Sequence, residues 1–172
     1  MSVEIRALTP ADVDALYAAV RASVSELSVW LPWCHPDYSR EDARRWVEYG
    51  MDCWLRGAEY PMGIFGVDGT LLGGVGLSKI DRAQRSANLG YWVRTDMTKQ
   101  GVATEAARQM AEFGLRELGF CRIEIVALPD NAASIRVAQK LGATDEGLVA
   151  AKVQLGDECV AGRVFSLTLQ WL

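Results

Sequence analysis

The sequence predicts a mixed α/β (α+β) fold on a largely antiparallel sheet. Half of the 172 residues are apolar, which is enough for one buried core. Helix-like and strand-like periodicities alternate along the chain, but three central strands and two final strands follow one another without an intervening helix. We therefore expect a single domain over residues 1–172, in the order strand, two helices, three strands, helix, strand, helix, two strands.

The composition excludes several classes of function. The net charge is −4 and no run of Lys or Arg occurs, so we expect no nucleic-acid partner and no membrane partner. The start MSVEIRALTP lacks a signal-like apolar segment, and no stretch approaches about eighteen apolar residues, which predicts a cytoplasmic protein. The four cysteines are widely spaced and there is one histidine, so no metal site is expected.

Alternation and capping residues mark the first strand and the first two helices. Residues 3–7 (VEIRA) alternate and predict a strand, and Thr9 caps a helix that begins with a proline. Ser39 caps a second helix, which should end near Leu55. The segment VWLPWCHPDY (29–38) lies between the two helices. Its two prolines and two tryptophans predict irregular structure.

Turn signals and periodicity place the remaining elements. Asp68-Gly69 is a strong hairpin signal between strands expected at 61–67 and 70–80, and a third strand is expected at 87–94. The later elements are expected at about 101–118 (helix), 121–128 (strand), 129–142 (helix), 144–155 (strand) and 159–170 (strand).

The stretch TKQGVATEA (98–106) runs from a small-residue turn directly into a helix. The first amides of a helix have no intrahelical partner, and Gly101 and Ala103 leave room for an anion such as a phosphate to approach them. Thr104 adds a hydroxyl donor. The Walker pattern and the dinucleotide-binding glycine pattern are both absent, which argues against an ATP- or NAD-binding domain. An ordinary strand-to-helix turn remains the alternative.

A second polar pair follows the strand predicted at 121–128. Asn131 and Ser134 are spaced i, i+3 and therefore lie on one face of the next helix. An amide and a hydroxyl side by side just beyond a strand end can contact a polar, chain-like ligand. Each residue alone is also a typical helix cap, so capping is the alternative explanation.

From Asn88 to Gly142 the sequence resembles the GNAT superfamily of N-acetyltransferases, and within it the RimJ/RimL type that acetylates ribosomal-protein N-termini. The resemblance implies a mixed, mostly antiparallel twisted sheet of about six to seven strands, with about four helices on both faces. It extends into the N-terminal half, where a similar segment lies on the substrate side of that branch. The stretches that carry it are LGYWV (89–93), QGVATEA (100–106), RIEI (122–125), NAAS (131–134), KLGA (140–143) and VWLPWCHPDYS (29–39).

The resemblance implies acetyl-CoA as the acetyl donor and no metal. Its pantetheine arm would pair like an extra strand with Leu89, Tyr91 and Val93. Thr98 departs from the family pattern, which has a long polar side chain at this position. The pyrophosphate would be held by the loop residues Lys99, Gln100, Gly101, Val102, Ala103 and Thr104.

The same resemblance implies roles in catalysis. A backbone N–H near Gly90, freed by an expected β-bulge, would bind the thioester oxygen, an interaction worth about 3–4 kcal/mol where it has been measured. Asn131 would hold the pantetheine or a linked water. Ser134 would hydrogen-bond the sulfur and protonate the departing thiolate. Attack would be direct, in a ternary complex without a covalent acetyl-enzyme.

The acceptor amine must be neutral to attack. An α-amine has a pKa of about 7.7–8.0 and lysine about 10.4, so at pH 7.4 roughly a quarter of α-amines and about one lysine in a thousand are neutral. No unambiguous general base is evident. Lys152 stands where this branch can carry a Glu. A water chain to backbone carbonyls, or to Glu26, Asp37 or His35, is the alternative.

The acceptor pocket is expected in the Trp/Pro-rich segment. Trp30, Trp33 and His35 are its candidate substrate-binding residues. The alternative for the two tryptophans is to cover the sheet, and a lone histidine in a loop is more often a packing or surface residue. Tyr91 and Trp92 alternate on their strand, so at most one of them faces the site.

The sequence therefore predicts an acetyl-CoA-dependent N-acetyltransferase that acts on a protein N-terminal α-amine. A small amine (an amino acid, a polyamine or an aminoglycoside) is the alternative acceptor, and a non-catalytic acyl-CoA sensor is the alternative class. Formation of a homodimer is left open.

Overall fold

Seven strands form one sheet in the order β1-β2-β3-β4-β5-β7-β6. The structure is a computed structural model and describes residues 1–172. Only β4 and β5 pair in parallel, so the mostly antiparallel sheet expected from the sequence is confirmed. In chain order the elements are β1 (Val3–Arg6), α1 (Val13–Arg21), α2 (Val24–Trp30), α3 (Arg40–Arg56), β2 (Tyr60–Gly66), β3 (Leu71–Asp81), β4 (Ser86–Val93), α4 (Val102–Glu112), β5 (Arg122–Ala127), α5 (Ala132–Lys140), β6 (Thr144–Leu155) and β7 (Glu158–Thr168).

Helices cover both faces of the sheet. One apolar cluster combines buried residues of α4 and α5 with Leu89, and a second combines α1 and α3 with Phe65. Tyr91 packs against the first cluster and its neighbour Trp92 packs against the second. Because successive side chains of a strand point to opposite faces, the two clusters lie on opposite sides of the sheet.

One helix was not expected. The chain forms five α-helices, since α2 (Val24–Trp30) follows α1 after a short break, and irregular structure therefore begins at Leu31 and not at residue 29. Ser23, with a φ of −123°, interrupts the helical path. Its buried hydroxyl accepts a hydrogen bond from the backbone N–H of Thr95, at 3.0 Å. A long-range contact that local periodicity does not reveal thus divides the helical segment in two.

The expected helix at 101–118 is confirmed, but its last turn is wider than an α-helix. Residues Phe113–Glu117 form a π-helical turn. Gly114 lies inside this turn, where an added Cβ would come within 2.7 Å of Ile123 Cδ1 and 2.9 Å of Leu77 Cδ1. The absence of a side chain therefore lets the helix end lie close to the sheet.

The N-terminal connection is held by a bidentate ion pair. Arg6 donates two 2.9 Å hydrogen bonds to the carboxylate of Asp12, and the backbone N–H of Thr9 donates to the same carboxylate at 2.7 Å. These contacts, the Arg6 bonds foremost, lower the pKa of Asp12 to about 2. The chain has no helix long and apolar enough to cross a membrane.

Candidate active site

The parallel strands β4 and β5 separate after three paired positions. The last pair is Asn88 with Glu124, whereas β4 continues to Val93 and β5 to Ala127. On their outer sides both strands stay paired, with Val93 opposite Gly73 on β3 and Ala127 opposite Arg163 on β7. The two halves of the sheet therefore diverge, and the inner edge of β4 from Leu89 onward has no strand partner.

The expected β-bulge at Gly90 is wrong. Gly90 lies opposite Gly76, and the register between β3 and β4 is continuous from Gly73–Val93 to Ser78–Asn88. The backbone groups that the bulge was expected to free are instead freed by the separation of β4 from β5. Sequence alone favoured a bulge because glycine in a strand is typical of one.

The loop before α4 presents unpaired amides at the same end of β4. Gly101 is the N-cap with a φ of +82°, no side chain caps the helix, and the first bond to the Gly101 carbonyl comes from Glu105 N–H at 3.0 Å. Lys99 also has a positive φ, +62°, which is uncommon for a residue with a side chain. Two left-handed residues around a helix start make a concave set of N–H donors suited to an anion.

There is open space both in front of the α4 amides and beside β4. A Cβ added to Gly101 or to Gly90 would meet no atom within 4 Å. Gln100 braces the loop by donating to the Asp96 carbonyl at 3.1 Å, and Thr98 donates to the Thr95 carbonyl at 2.9 Å. The residues present therefore fit a diphosphate on the α4 amides and an extended arm along β4.

Asn131 and Ser134 lie on the opposite side of the gap, at the start of α5. Asn131 is the N-cap, and its Oδ1 accepts a 3.2 Å hydrogen bond from Ser134 N–H, so capping is confirmed for Asn131. Ser134 Oγ makes a different contact, 3.1 Å from the hydroxyl of Tyr91 on β4. The same hydroxyl donates to the Ser134 carbonyl oxygen at 3.0 Å. Burial raises the pKa of Tyr91 to about 12, so this phenol is protonated at neutral pH.

The neighbouring aromatic residues Tyr91 and Trp92 lie on opposite faces of the sheet, as the alternation of side chains along a strand requires. Trp92 turns to the face opposite Tyr91 and contacts the edge of Trp33, with ring centroids 5.9 Å apart. Trp33 therefore lies beside the strand that borders the gap. His35 Nε2 lies 3.8 Å from the Asp42 carboxylate at the start of α3, and its ring, like that of Trp33, lies 6.2 Å from the ring of Tyr38. Trp30, at the end of α2, has no aromatic partner.

A charged cluster lies where the two strands begin to separate. Lys152 Nζ is 3.0 Å from a carboxylate oxygen of Glu124, and Arg122 donates to the other oxygen at 2.8 Å. Burial raises the pKa of Glu124, but these two cations outweigh burial and hold the pKa below its usual value. Glu124 is therefore an ionised but weakly basic carboxylate, and Lys152 serves as its partner.

The other proposed proton acceptors lie in different surroundings. Glu26 accepts a 3.0 Å hydrogen bond from Thr95 Oγ1, which ties α2 to the loop that precedes α4. Asp37 is exposed in the Trp/Pro-rich segment.

The sequence predicted the loop before α4 and the start of α5 as parts of the site, but it did not reveal three other features of the site. These are the side chain of Tyr91, the carboxylate of Glu124 and the placement of Trp92 against Trp33. The signal for Glu124 was a charge inside the otherwise apolar strand RIEIVA. No local signal pairs Tyr91 with Ser134, which lie 43 positions apart.

Comparison with known proteins agrees with this geometry. Residues 2–144 match the family described as "Acetyltransferase (GNAT) domain". The chain belongs to the GNAT family of acetyl-CoA-dependent N-acetyltransferases.

Two relatives and one solved structure show which type of GNAT enzyme the chain is similar to. The ribosomal-protein-serine acetyltransferase of Escherichia coli is 27% identical over 146 residues, which are 85% of this chain and 81% of that protein. YdaF of Bacillus subtilis, a candidate ribosomal N-acetyltransferase, is 28% identical over 148 residues, 84% of this chain and 79% of YdaF. The structure of RimL, a ribosomal-protein α-N-acetyltransferase in complex with coenzyme A, superposes with a TM-score of 0.89 at 23% identity, covering 100% of this chain and 97% of that one. The last likeness confirms the expected fold.

Proposed function

We propose that this enzyme acetylates a protein N-terminal α-amine, with acetyl-CoA lying in the gap between β4 and β5. The separation of these strands after the Asn88–Glu124 pair is the observation that carries the proposal. It leaves the β4 edge open beside the unpaired amides of the α4 N-terminus. Bound there, acetyl-CoA supplies an acetyl group already activated as a thioester.

The chain's own groups would bind and orient this donor. Amides of residues 99–104 hold the diphosphate, favoured by the partial positive charge at the start of α4. Backbone groups of Leu89, Tyr91 and Val93 pair with the pantetheine arm, and one β4 N–H binds the oxygen that gains negative charge during attack. Asn131 keeps its amide nitrogen free for the arm because Oδ1 is used by the cap. Ser134 Oγ donates to the sulfur.

The electrostatics of the site support an α-amine as the acceptor. Arg122 and Lys152 hold the pKa of Glu124, the carboxylate at the strand separation, below its usual value despite burial, which makes it a poorer base. An enzyme without a strong base gains from an amine that is partly neutral already, and α-amines with a pKa of about 7.7–8.0 meet that condition. The relatives named for ribosomal-protein acetylation support the same acceptor class.

Thiol release measured with acetyl-CoA and a panel of amines tests the proposal. Peptides with a free α-amine should turn over, and the same peptides with a blocked N-terminus and an internal lysine should turn over far more slowly. Preferred turnover of a polyamine, an amino acid or an aminoglycoside would replace the protein acceptor by a small amine. Tight coenzyme A binding without turnover of any amine would indicate an acyl-CoA sensor.

A further inference from the structure

The side chain of Tyr91 spans the gap between β4 and α5. Tyr91 lies in the part of β4 that has no partner on β5, and its half-buried ring packs against the α4 side of the core. Its hydroxyl contacts Ser134 at two atoms, the carbonyl oxygen at 3.0 Å and Oγ at 3.1 Å. The packed ring fixes where this hydroxyl lies, and the hydroxyl in turn limits the rotation of the serine side chain.

A phenol carries one proton, so these two contacts allow two hydrogen-bond arrangements. In the first, Tyr91 donates to the Ser134 carbonyl and Ser134 Oγ donates back to Tyr91, which occupies the serine proton. In the second, Tyr91 donates to Ser134 Oγ, and the serine proton points away from the tyrosine. The two contacts are nearly equal in length, 3.0 and 3.1 Å, so rotation of the two hydroxyl protons, with no movement of the heavier atoms, exchanges the arrangements.

We propose that Tyr91 is a positioning residue that directs the Ser134 hydroxyl toward the donor sulfur as the carbon–sulfur bond breaks. The inference rests on the proposed function and deepens it. As the amine nitrogen bonds to the acetyl carbon, the electron pair of the carbon–sulfur bond remains on sulfur. The proton lost by the amine goes to solvent, from which the thiolate is later protonated. A thiolate accepts a stronger hydrogen bond than a thioester sulfur, so the second arrangement is favoured as the bond breaks.

The tyrosine acts as a hydrogen-bond donor and keeps its proton. An alkyl thiol such as that of cysteine has a pKa of about 8.5, whereas burial raises the pKa of Tyr91 to about 12. Transfer of the phenolic proton to the thiolate would therefore be unfavourable by roughly a thousandfold or more. Hydrogen bonding to the sulfur, and not the complete protonation implied by the family resemblance, is the role that this pair of hydroxyls supports.

The variant Tyr91→Phe tests the proposal because it keeps the packed ring and removes only the hydroxyl. We expect kcat to fall up to about tenfold, because the lost bond between two neutral hydroxyls no longer orients the serine proton, with KM for acetyl-CoA changed by less than about twofold. In the Ser134→Ala background the same change should have no further effect on kcat. Tyr49→Phe is the matched control, because it removes a surface tyrosine hydroxyl that donates to Glu59 at 3.0 Å.

A second readout needs no acceptor amine. The thiol of bound coenzyme A can be titrated through the far-ultraviolet absorbance of its thiolate. Donation from Ser134 should lower the pKa of that thiol in the wild type, and Tyr91→Phe should raise it by about one unit relative to wild type. Tyr49→Phe should leave it unchanged.

The outcomes separate the inference from the proposed function. Tyr91→Phe could lower kcat by the same factor in the wild-type and Ser134→Ala backgrounds and leave the thiol pKa unchanged. That result would show that Tyr91 only holds α5 in place, and it would overturn the positioning role. Full turnover in Ser134→Ala would overturn the role of that serine in the proposed function. Lack of coenzyme A binding by the wild-type protein would overturn both.

Discussion

Trp33 and Trp92 meet edge to face, with ring centroids 5.9 Å apart and planes inclined by 64°. One residue comes from the irregular segment after α2 and the other from β4, the strand that borders the gap. This contact connects the segment expected to bind the acceptor with the strand expected to bind the donor. The sequence predicted that at most one of Tyr91 and Trp92 faces the site. The structure places Tyr91 against Ser134 and turns Trp92 to the opposite side of the sheet, against Trp33.

The variant Trp33→Ala should weaken acceptor binding. We expect KM for a peptide acceptor to rise about tenfold, since an aromatic contact and its buried area are lost, while KM for acetyl-CoA stays within about twofold. Steady-state kinetics with each substrate varied would measure this. Trp46→Ala is a matched control, because Trp33 and Trp46 are 43% and 44% exposed and Trp46 lies on α3. Equal effects of the two variants would remove Trp33 from the acceptor site.

The variant Ser134→Ala should lower turnover far more than donor affinity. Because its hydroxyl is expected to act on a sulfur that becomes charged only as the bond breaks, we expect kcat to fall about a hundredfold. The dissociation constant of acetyl-CoA, measured by calorimetry, should change by less than about threefold. A large loss of affinity with unchanged kcat would assign Ser134 to binding alone.

The variant Gly101→Val should abolish coenzyme A binding. Its side chain would enter the open space in front of the α4 amides, and its φ of +82° would be strained for any residue with a Cβ. Gly142→Val is the control that distinguishes backbone strain from steric block of the coenzyme A site. Gly142 has a similar φ of +74°, faces open space, and follows the far end of α5. Both variants should lose stability by a similar amount, but only Gly101→Val should lose binding. Unchanged affinity in Gly101→Val would place the diphosphate elsewhere.

The pH dependence of turnover should follow the acceptor amine. With no strong base at the site, kcat/KM for an α-amine peptide should rise with pH and level off above about pH 8, where the amine is mostly neutral. At pH 7.4 an internal lysine should react roughly two hundredfold more slowly, in proportion to its neutral fraction. A plateau that begins near pH 6 would instead reveal an efficient general base.

The Arg6–Asp12 pair should contribute to stability above acidic pH. Because the folded-state pKa of Asp12 is lowered to about 2, its contribution is present above the unfolded value of about 3.9 and is lost as the pH falls toward 2. Denaturant unfolding at pH 7 should show that Asp12→Asn costs about 2 kcal/mol, and the difference should shrink between pH 4 and pH 2. Asp14→Asn, which alters only an exposed pair with Arg40, should leave the midpoint unchanged. A constant difference down to pH 2 would attribute the loss to packing.

The fold could be predicted largely because its signals are local. Capping residues, the Asp68-Gly69 turn and strand alternation lie within a few positions of the elements they define, and all seven strands formed within one or two residues of the expected bounds. Among the helices, α1 and α5 begin three residues later than expected, at Val13 and Ala132, and α2 was not expected. The break before α2 depends on Ser23 meeting Thr95, and the separation of β4 from β5 depends on two distant strands. Such contacts leave no local periodicity.

The site could be predicted in part for the same reason. The glycine turn at 101 and the Asn131 cap are short patterns, whereas Tyr91 meets Ser134 and Lys152 meets Glu124 only after folding. His35 shows the converse case. A lone imidazole in an irregular segment is a local signal, and the structure adds that it lies beside the capping residue Asp42. Its place in the acceptor pocket stays a prediction.

The short parallel ladder has a mechanical consequence. Only three residue pairs join the half of the sheet formed by β1 to β4 to the half formed by β5 to β7. We expect the sheet to deform most easily at this ladder. A donor molecule bound along it would hold the two halves of the sheet together. The free energy of unfolding should then increase with the concentration of acetyl-CoA.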